Sequence, residues 1–333
     1  MSRNITAFWH KVSFDWFMKE KLPQFLATRI PLAGYHFEST GPYTCRVKVI
    51  LASTKGDVEV VYDDVPQPDA EGIFQLDGGR RAVVPTASHE ELDVAEIQCV
   101  GEQLYDYFKA RLGGAPGGLP WDTSLVRAWL PLDRWIREFL RDEPTAQTLQ
   151  ENNWLDRQTH LRRLRVAWRN QVLHPSYFGR VCPYETPEGP NVGKVLSIAL
   201  GAEIRDGKLV VADNRPVGAK RASPLLGLSA SLVPFVENND PNRQLMGANM
   251  MRQFYTPPDP EPALVQTENT YDAPGFWCGR NVLTAYVPWG VDTFEDAIII
   301  SDSCAKRFNY PYPVEPGDKF ANRHGAKGCI SRI

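Results

Sequence analysis

His174-Pro-Ser-Tyr-Phe-Gly-Arg-Val-Cys-Pro-Tyr-Glu-Thr-Pro-Glu-Gly-Pro-Asn-Val-Gly193 is the stretch of this 333-residue chain that departs furthest from ordinary helix and strand patterns. Three prolines and two glycines after Arg180 deny it a regular helix and predict a rigid loop, with Glu185 and Glu188 held beside an arginine-rich run. Rigid loops that carry charge commonly position something, although a plain surface connector has the same composition. From Arg157 to Arg180 there are six arginines (157, 162, 163, 165, 169 and 180), two histidines and no acid. The formal net charge of −3 is therefore +6 in this window and −9 elsewhere. A basic patch on an acidic body attracts phosphate, and the planar guanidinium fork suits phosphate oxygens. A solvated helix face or an internal ion-pair network is the other reading of such a run.

Working outward, hydrophobic residues make up 43% of the chain and aromatics 11%, enough for a sizeable core and too much for wholesale disorder. The length suggests about two domains. No apolar run approaches the length of a membrane span, and Phe8-Trp-His-Lys does not read as the core of a signal peptide. Six cysteines without a Cys-x-x-Cys pair argue against structural zinc or a disulfide framework, so a reducing cytoplasm is the expected setting.

Toward the N-terminus, Phe8, Val12 and Trp16 predict an amphipathic helix over 7–21, stopped by Pro23. Residues 46–51 and 58–62 read as strands, and 72–85 as a hairpin about Asp-Gly-Gly. Ser88-His-Glu-Glu91 reads as a capping box for a helix that includes Ile97, Leu104 and Phe108. Gly113 to Pro120 reads as a linker, and Pro131 as the start of a further helix. Downstream, 203–211 is a hairpin on Asp-Gly, and Ala297-Ile-Ile-Ile a buried strand. The fold class is α+β, with an N-terminal mixed α/β segment and a sheet-rich core. No Walker loop, dinucleotide fingerprint, nucleophile elbow or zinc-protease helix is present.

Three further segments carry charge in unusual settings. In Ser231 to Gln253 a strand is expected to run through a polar turn into a helix capped by Asp240-Pro241, whose first turn presents Arg243 beside free N–H groups. Glu295 and Asp296 stand together before the apolar strand at 297, where they suit a magnesium ion or a triphosphate, or simply end a strand. Lys319, Arg323, His324 and Lys327 are spaced through a glycine-punctuated segment that lets backbone approach a polyanion, or that forms a surface loop.

In this order the four segments resemble the β subunit of bacterial multisubunit DNA-directed RNA polymerase. The resemblance is dense over 174–193, 242–253, 294–296 and 317–331. It extends upstream through Asn152-Asn153 and Thr159-His160-Leu-Arg-Arg163, and more sparsely through Gly72 to Val84. It implies that Lys319 and Lys327 meet phosphates at the RNA 3′ end and on initiating nucleotides, and that Arg243 meets the incoming triphosphate. It further implies that Gln253, Arg323 and His324 face nucleic acid, and that Glu295 and Asp296 lie near the nucleotide and the second magnesium. His160, Arg162 and Arg163 would line the RNA–DNA hybrid channel, braced by the loop with Glu185, Glu188 and Asn191.

The resemblance also implies a division into 1–87, part of a protrusion; 88–155, a helical segment replacing the lobe; and 156–333, the hybrid-binding and double-psi β-barrel region. A short stretch stands between Arg163 and His174 where the family has a fork loop, and the segment before Gly317 omits the flap. The barrel is expected to be incomplete in this chain and completed by another. Magnesium would be held mainly by a β′-like large subunit carrying the Asp triad, since no Asp-x-Asp-x-Asp run occurs here. DNA template, RNA and nucleoside triphosphates are the implied partners, with no membrane. The competing reading is a non-catalytic β-derived protein that binds nucleic acid or polymerase, in a regulatory role, or a truncated remnant.

Overall fold

The computed structural model describes residues 7–53, 56–114, 121–168, 173–211, 223–271 and 273–333. Most of the expected linker (115–120) and Arg169 lie outside the described residues. The chain is mixed α+β and divides into two compact units, one of Thr6–Leu149 with Ile204–Leu209 and one of Gln150–Glu203 with Val210–Ile333. No helix among the described residues is long and apolar enough to cross a membrane.

The N-terminal unit begins with α1 (Trp9–Trp16), a π-helical turn (Phe17–Lys21) and α2 (Leu22–Ala27). The helical run therefore passes Pro23 rather than stopping there. Pro23 falls in the first turn of α2, where its missing N–H is least needed, and the wider π turn before it absorbs the change of register. The predicted apolar stripe also faces the other way. Phe8 and Val12 are exposed, while Phe14, Phe17, Met18, Leu22 and Leu26 are fully buried.

Next come β1 (Leu32–Ser39), β2 (Thr44–Leu51) and β3 (Val58–Pro66), an antiparallel meander whose β2 buries alternate residues Cys45, Val47, Val49 and Leu51. The expected hairpin is β4 (Phe74–Leu76) and β5 (Gly79–Val83), turning through Asp77 and Gly78, both with positive φ as a type I′ turn requires. Short β6 (Thr86–Ala87) and β7 (Ile97–Gln98) pair with each other and lead into α3 (Val100–Arg111). Helix α3 starts about ten residues later than Ser88 suggests. Cys99 is its N-cap, with the Glu102 side chain accepting the Cys99 N–H at 3.0 Å, whereas the Ser88 hydroxyl accepts from the Glu96 N–H within a turn. Helices α4 (Thr123–Trp129) and α5 (Leu132–Asp142) follow, and β8 (Ala146–Thr148) joins β5. One apolar core runs from Phe14 to Ala146 through the meander and all of these helices.

The C-terminal unit opens with α6 (Trp154–His160) and β9 (Arg163–Arg165), which pairs with β10 (Val195–Ser197) across the Pro/Gly-rich loop. The hairpin β11 (Ala202–Arg205) and β12 (Lys208–Val211), whose segment Ile204–Leu209 belongs to the N-terminal unit, turns at Asp206-Gly207 as expected, again with positive φ at both positions. The strand expected at 231–236 is instead two 3-10 turns, Ala230–Leu232 and Val236–Asn238, separated by Pro234 and a left-handed Phe235. Helix α7 (Pro241–Met250) follows. The last sheet contains β13 (Ala297–Ile299), β14 (Lys319–Ala321) and β15 (Lys327–Arg332), with α8 (Asp302–Phe308) between the first two. β15 is central, parallel to β13 and antiparallel to β14. The strand at 297 is half-buried rather than buried, since it forms an edge of this small sheet. The strands do not close into a barrel among the described residues.

Helix α3 meets the first helix at Gly101, where a Cβ would lie 1.9 Å from the Ser13 carbonyl oxygen. A Gly101→Ala chain should therefore lose about 1–3 kcal/mol of stability through forced separation of the helices, read as a lower urea midpoint.

Candidate functional site

Three glycines bring the charged segments of the C-terminal unit together. A Cβ on Gly247, inside α7, would stand 2.2 Å from the carbonyl oxygen of Arg323. One on Gly325, at φ +86°, would stand 2.2 Å from the carbonyl oxygen of Arg243, and one on Gly328 would stand 2.0 Å from that of Asp296. No side chain fits at such distances, so the turn at 322–328 lies against the backbone of α7 and against the 295–296 turn. Asn322 shapes that turn: its Oδ1 accepts the N–H groups of His324 at 2.9 Å and Ala326 at 3.1 Å.

The register of β14 and β15 sets the two lysines. Lys319 is opposite Cys329 and Ala321 opposite Lys327, so these four side chains share one face of the pleat, while Phe320, Gly328 and Ile330 share the other. Gly328 and Ile330 are buried, and both lysines are exposed with no acid in ion-pair range among the described residues. Phe320 anchors the covered face edge-on to Phe308, with centroids 4.9 Å apart. Glu295 and Asp296 are exposed and both left-handed, at φ 49° and 63°. Two consecutive non-glycine residues in that region carry strain, and the contact of the Asp296 carbonyl with Gly328 holds the second in place.

The two nearby arginines serve different ends. Arg243 is exposed on the first turn of α7, behind Pro241 and the Asp240 cap, and Nη1 donates to the Gly325 carbonyl at 3.2 Å. Arg323 is a tie: its Nη1 donates to Leu232 O at 3.0 Å and its Nη2 to Val265 O at 2.8 Å. His324 is partly buried, with Nδ1 3.2 Å from the Asn239 side chain, whose Nδ2 lies 3.1 Å from Gln244 Oε1. Burial, and then the charge of Arg323, lowers the His324 pKa. Gln253 lies exposed just beyond α7.

The segment 153–165 is largely internal. Asn153 caps α6 by accepting the Asp156 N–H at 3.0 Å, and its Nδ2 donates to the carbonyls of Met251 at 3.0 Å and Phe254 at 3.1 Å, beyond α7. Arg162 is buried and donates to Ile198 O at 3.3 Å, Ala199 O at 2.7 Å and Ala202 O at 2.9 Å. Burial draws its pKa down to about 10, which leaves it charged at neutral pH. Arg163 is half-buried, 3.3 Å from the Asp156 carboxylate, with a pKa drawn down to about 10 by burial and then by the charge of Arg252. Arg180 donates to the Ser176 carbonyl at 3.0 Å. Much of the arginine run is thus an internal network, the less specific of its two sequence readings.

His160 lies between Asp156, at 3.4 Å from Nδ1, and Arg163, whose Nη1 contacts Nε2. Burial and the charge of Arg163 lower the His160 pKa against the pull of Asp156. A neutral ring with Nδ1–H toward the carboxylate and Nε2 accepting from the guanidinium satisfies both neighbours. Burial opposes the Asp156 charge, but the hydrogen bond from His160 and the charges of Arg163 and Arg252 outweigh it and hold the carboxyl below its ordinary pKa.

In the loop after Arg180, Glu185 is buried and its Oε1 accepts the Ala230 N–H at 2.7 Å. Gly227 makes room for it, since a Cβ there would lie 2.5 Å from the carboxylate. Thr186 Oγ1 accepts the Gly193 N–H at 2.8 Å and donates to Val195 O at 3.0 Å, while Asn249 of α7 donates to Thr186 O at 3.0 Å. Glu188 and Asn191 are exposed, the latter acting through its backbone carbonyl, which accepts from Lys194 at 3.0 Å. Asp156, Thr186, Gln244, Asn249 and Arg252 carry much of this architecture and were not singled out by sequence reasoning. Asp156, four residues before His160 and seven before Arg163, had the spacing of one helix face as a signal.

The structure therefore places Arg243, Lys319, Lys327, Glu295 and Asp296 on adjoining segments, and sets His160, Arg162, Arg163 and Glu185 in the supporting interior. Residues 147–204 match the family model of RNA polymerase Rpb2, domain 3, which supports an RNA polymerase β-type subunit at the level of the family. That span contains the α6–β9 segment and the Pro/Gly-rich loop. It ends before Arg243, Glu295, Asp296, Lys319 and Lys327. No three His, Cys, Asp or Glu side chains converge as a metal site among the described residues. Glu295 and Asp296 alone do not fit a complete magnesium site.

Gly325→Ala should separate α7 from the 322–328 turn, since the added methyl meets backbone at a left-handed position. Loss of about 1–3 kcal/mol in chemical denaturation is expected, with changed amide NMR shifts at both Arg243 and Lys327. His160 should titrate below its ordinary 6.5, as followed by imidazole NMR. The unfolded chain then binds the extra proton first, so this contribution to stability is full above about pH 6.5 and is lost as pH falls through the depressed value. Asp156 adds a second loss of the same sign at lower pH, below its ordinary 3.8.

Proposed function

We propose that this chain is a β-like subunit of a DNA-directed RNA polymerase. It positions the RNA 3′ end and the incoming nucleoside triphosphate for phosphoryl transfer, together with a β′-like partner that supplies the magnesium-binding Asp triad. The observation that carries the proposal is Lys319 and Lys327 on one exposed pleat face, joined through glycine contacts to the segments bearing Arg243 and Glu295-Asp296. The family match over 147–204 supports it from a separate part of the chain.

Phosphoryl transfer demands little covalent chemistry from protein; placement and stabilisation of developing charge dominate. Lys319 and Lys327 present compact ammonium charges to phosphate oxygens. Arg243, braced by the Gly325 carbonyl, reaches the triphosphate with its remaining donors. Glu295 and Asp296 lie near the magnesium that accompanies the nucleotide, and the ion itself is held mainly by the partner. The RNA–DNA hybrid runs along the surface supported by the His160–Arg163 segment and by the loop of Glu185, Glu188 and Asn191, with Gln253, Arg323 and His324 nearby. On the same reading 1–87 is part of a protrusion, 88–155 takes the place of the lobe, and 156–333 contributes to a double-psi barrel. The assembly works in the cytoplasm.

Lys319→Ala combined with Lys327→Ala should lower template-directed nucleotide incorporation by the reconstituted complex by about a hundredfold, with Lys319→Arg combined with Lys327→Arg recovering part of it. Unchanged incorporation would overturn the assignment. A chain that binds nucleic acid or polymerase but never enters an active complex would be the non-catalytic module.

A further inference from the structure

The N-terminal unit carries a surface that the nucleotide-facing residues do not use. The π turn Phe17–Lys21 shifts the helical register by one residue, so that Trp16, Lys21, Phe25 and Arg29 fall in line at spacings of five, four and four. The cations lie over the rings: Lys21 Nζ is 5.3 Å from the Trp16 centroid and the Arg29 guanidinium 4.8 Å from that of Phe25. Alongside, α3 adds Tyr105, edge-on to Phe25 at 5.8 Å, and Lys109, 6.0 Å from the Tyr105 centroid. The three rings pack against the core and are partly exposed, each with a cation over it.

Lys21, Arg29 and Lys109 have no acidic partner among the described residues. Nearby acids are mostly engaged elsewhere. Asp15 pairs with Lys11 at 2.8 Å and Lys19 at 3.0 Å, Glu102 serves the α3 cap, and Asp106 accepts from Gln98 at 3.0 Å. Glu20 is the exposed acid beside the stripe. Arg29 is further steadied by the carbonyls of Leu112 and Gly113, at 3.5 and 3.4 Å.

We propose that this alternation of rings and cations is a docking surface for single-stranded nucleic acid, separate from the nucleotide-facing residues of the C-terminal unit. Lys21, Arg29 and Lys109 turn from the rings to meet successive phosphates, and the ring faces they leave on Trp16, Phe25 and Tyr105 receive bases. Charge complementarity selects a polyanion, and interleaved rings favour a nucleic acid over an acidic peptide, which has nothing to stack. A duplex keeps its base faces covered, so the single strand is the form that fits.

The test uses the full chain carrying Lys319→Ala and Lys327→Ala, which removes the other expected phosphate contacts, and a fluorescent oligothymidylate of about 20 nucleotides followed by anisotropy across a salt series. Lys21→Gln with Lys109→Gln should weaken binding about tenfold and flatten the dependence of log K on log salt by about 1.4, since each lost phosphate contact on a single strand removes about 0.7. Tyr105→Leu keeps the packing volume and should weaken binding several-fold with the slope unchanged. Unfolding midpoints within error of the parent show that the variants are folded. Unchanged affinity and slope in the lysine variant would overturn the proposal. So would an unchanged Tyr105→Leu chain bound equally well by polyglutamate, which would make the partner an acidic polypeptide. A failed result leaves the Lys319 and Lys327 assignment standing, because that is read by nucleotide incorporation.

Discussion

The carbonyl oxygens of Arg243, Arg323 and Asp296 stand where side chains would have to be on Gly325, Gly247 and Gly328. That close approach is the constraint on which the arrangement of the C-terminal unit depends. A glycine within α7 is locally unfavourable, by about 1 kcal/mol relative to alanine. Here its bareness lets the helix lie directly against the turn of Arg323 and His324. At Gly325 steric room and a left-handed backbone are required together, and at Gly328 the contact holds a strained pair of carboxylate-bearing residues. Charged segments distant in sequence thus adjoin one another chiefly through backbone contacts, to which Arg243 adds its bond to the Gly325 carbonyl. Their exposed side chains stay solvated and available to a ligand.

Helix α7 is held from behind by polar groups rather than by a continuous apolar face. Gln244 donates to the Ala230 carbonyl and Asn249 to that of Thr186, while Asn153 donates to the carbonyls of Met251 and Phe254. Buried polar groups of this kind are costly unless satisfied, and once satisfied they permit one geometry and few others. The Asp156–His160–Arg163 arrangement belongs to the same interior. Its neutral imidazole reconciles a carboxylate with a guanidinium in a space where a third charge would be unfavourable. The matched span 147–204 lies at this supporting interior, which explains how a recognisable segment can contain few of the exposed cations. The N-terminal unit is organised differently, around an extensive apolar core whose rings and cations form its outer face.

Turn chemistry was the most legible part of the sequence. Asp77-Gly78 and Asp206-Gly207 take the left-handed angles that two-residue hairpins demand, and Asp240-Pro241 opens a helix, because in each case a local backbone preference decides the outcome. The α+β class and the charged segments 243, 295–296 and 319–327 were legible for the same reason: residue type and spacing carry them. Tertiary structure decided the rest. Phe8 and Val12 have helical spacing but face solvent, since the core is reached through Phe14, Phe17 and Met18 once a π turn shifts the register around Pro23. Ser88 resembles a cap, yet Cys99 takes that place where Gly101 must meet Ser13. The arginines of 157–180 look alike in sequence, and only folding separates Arg162, enclosed by three carbonyls, from Arg165, left exposed. Burial, and the partners it imposes, depends on segments about forty or more residues away, which no local pattern records.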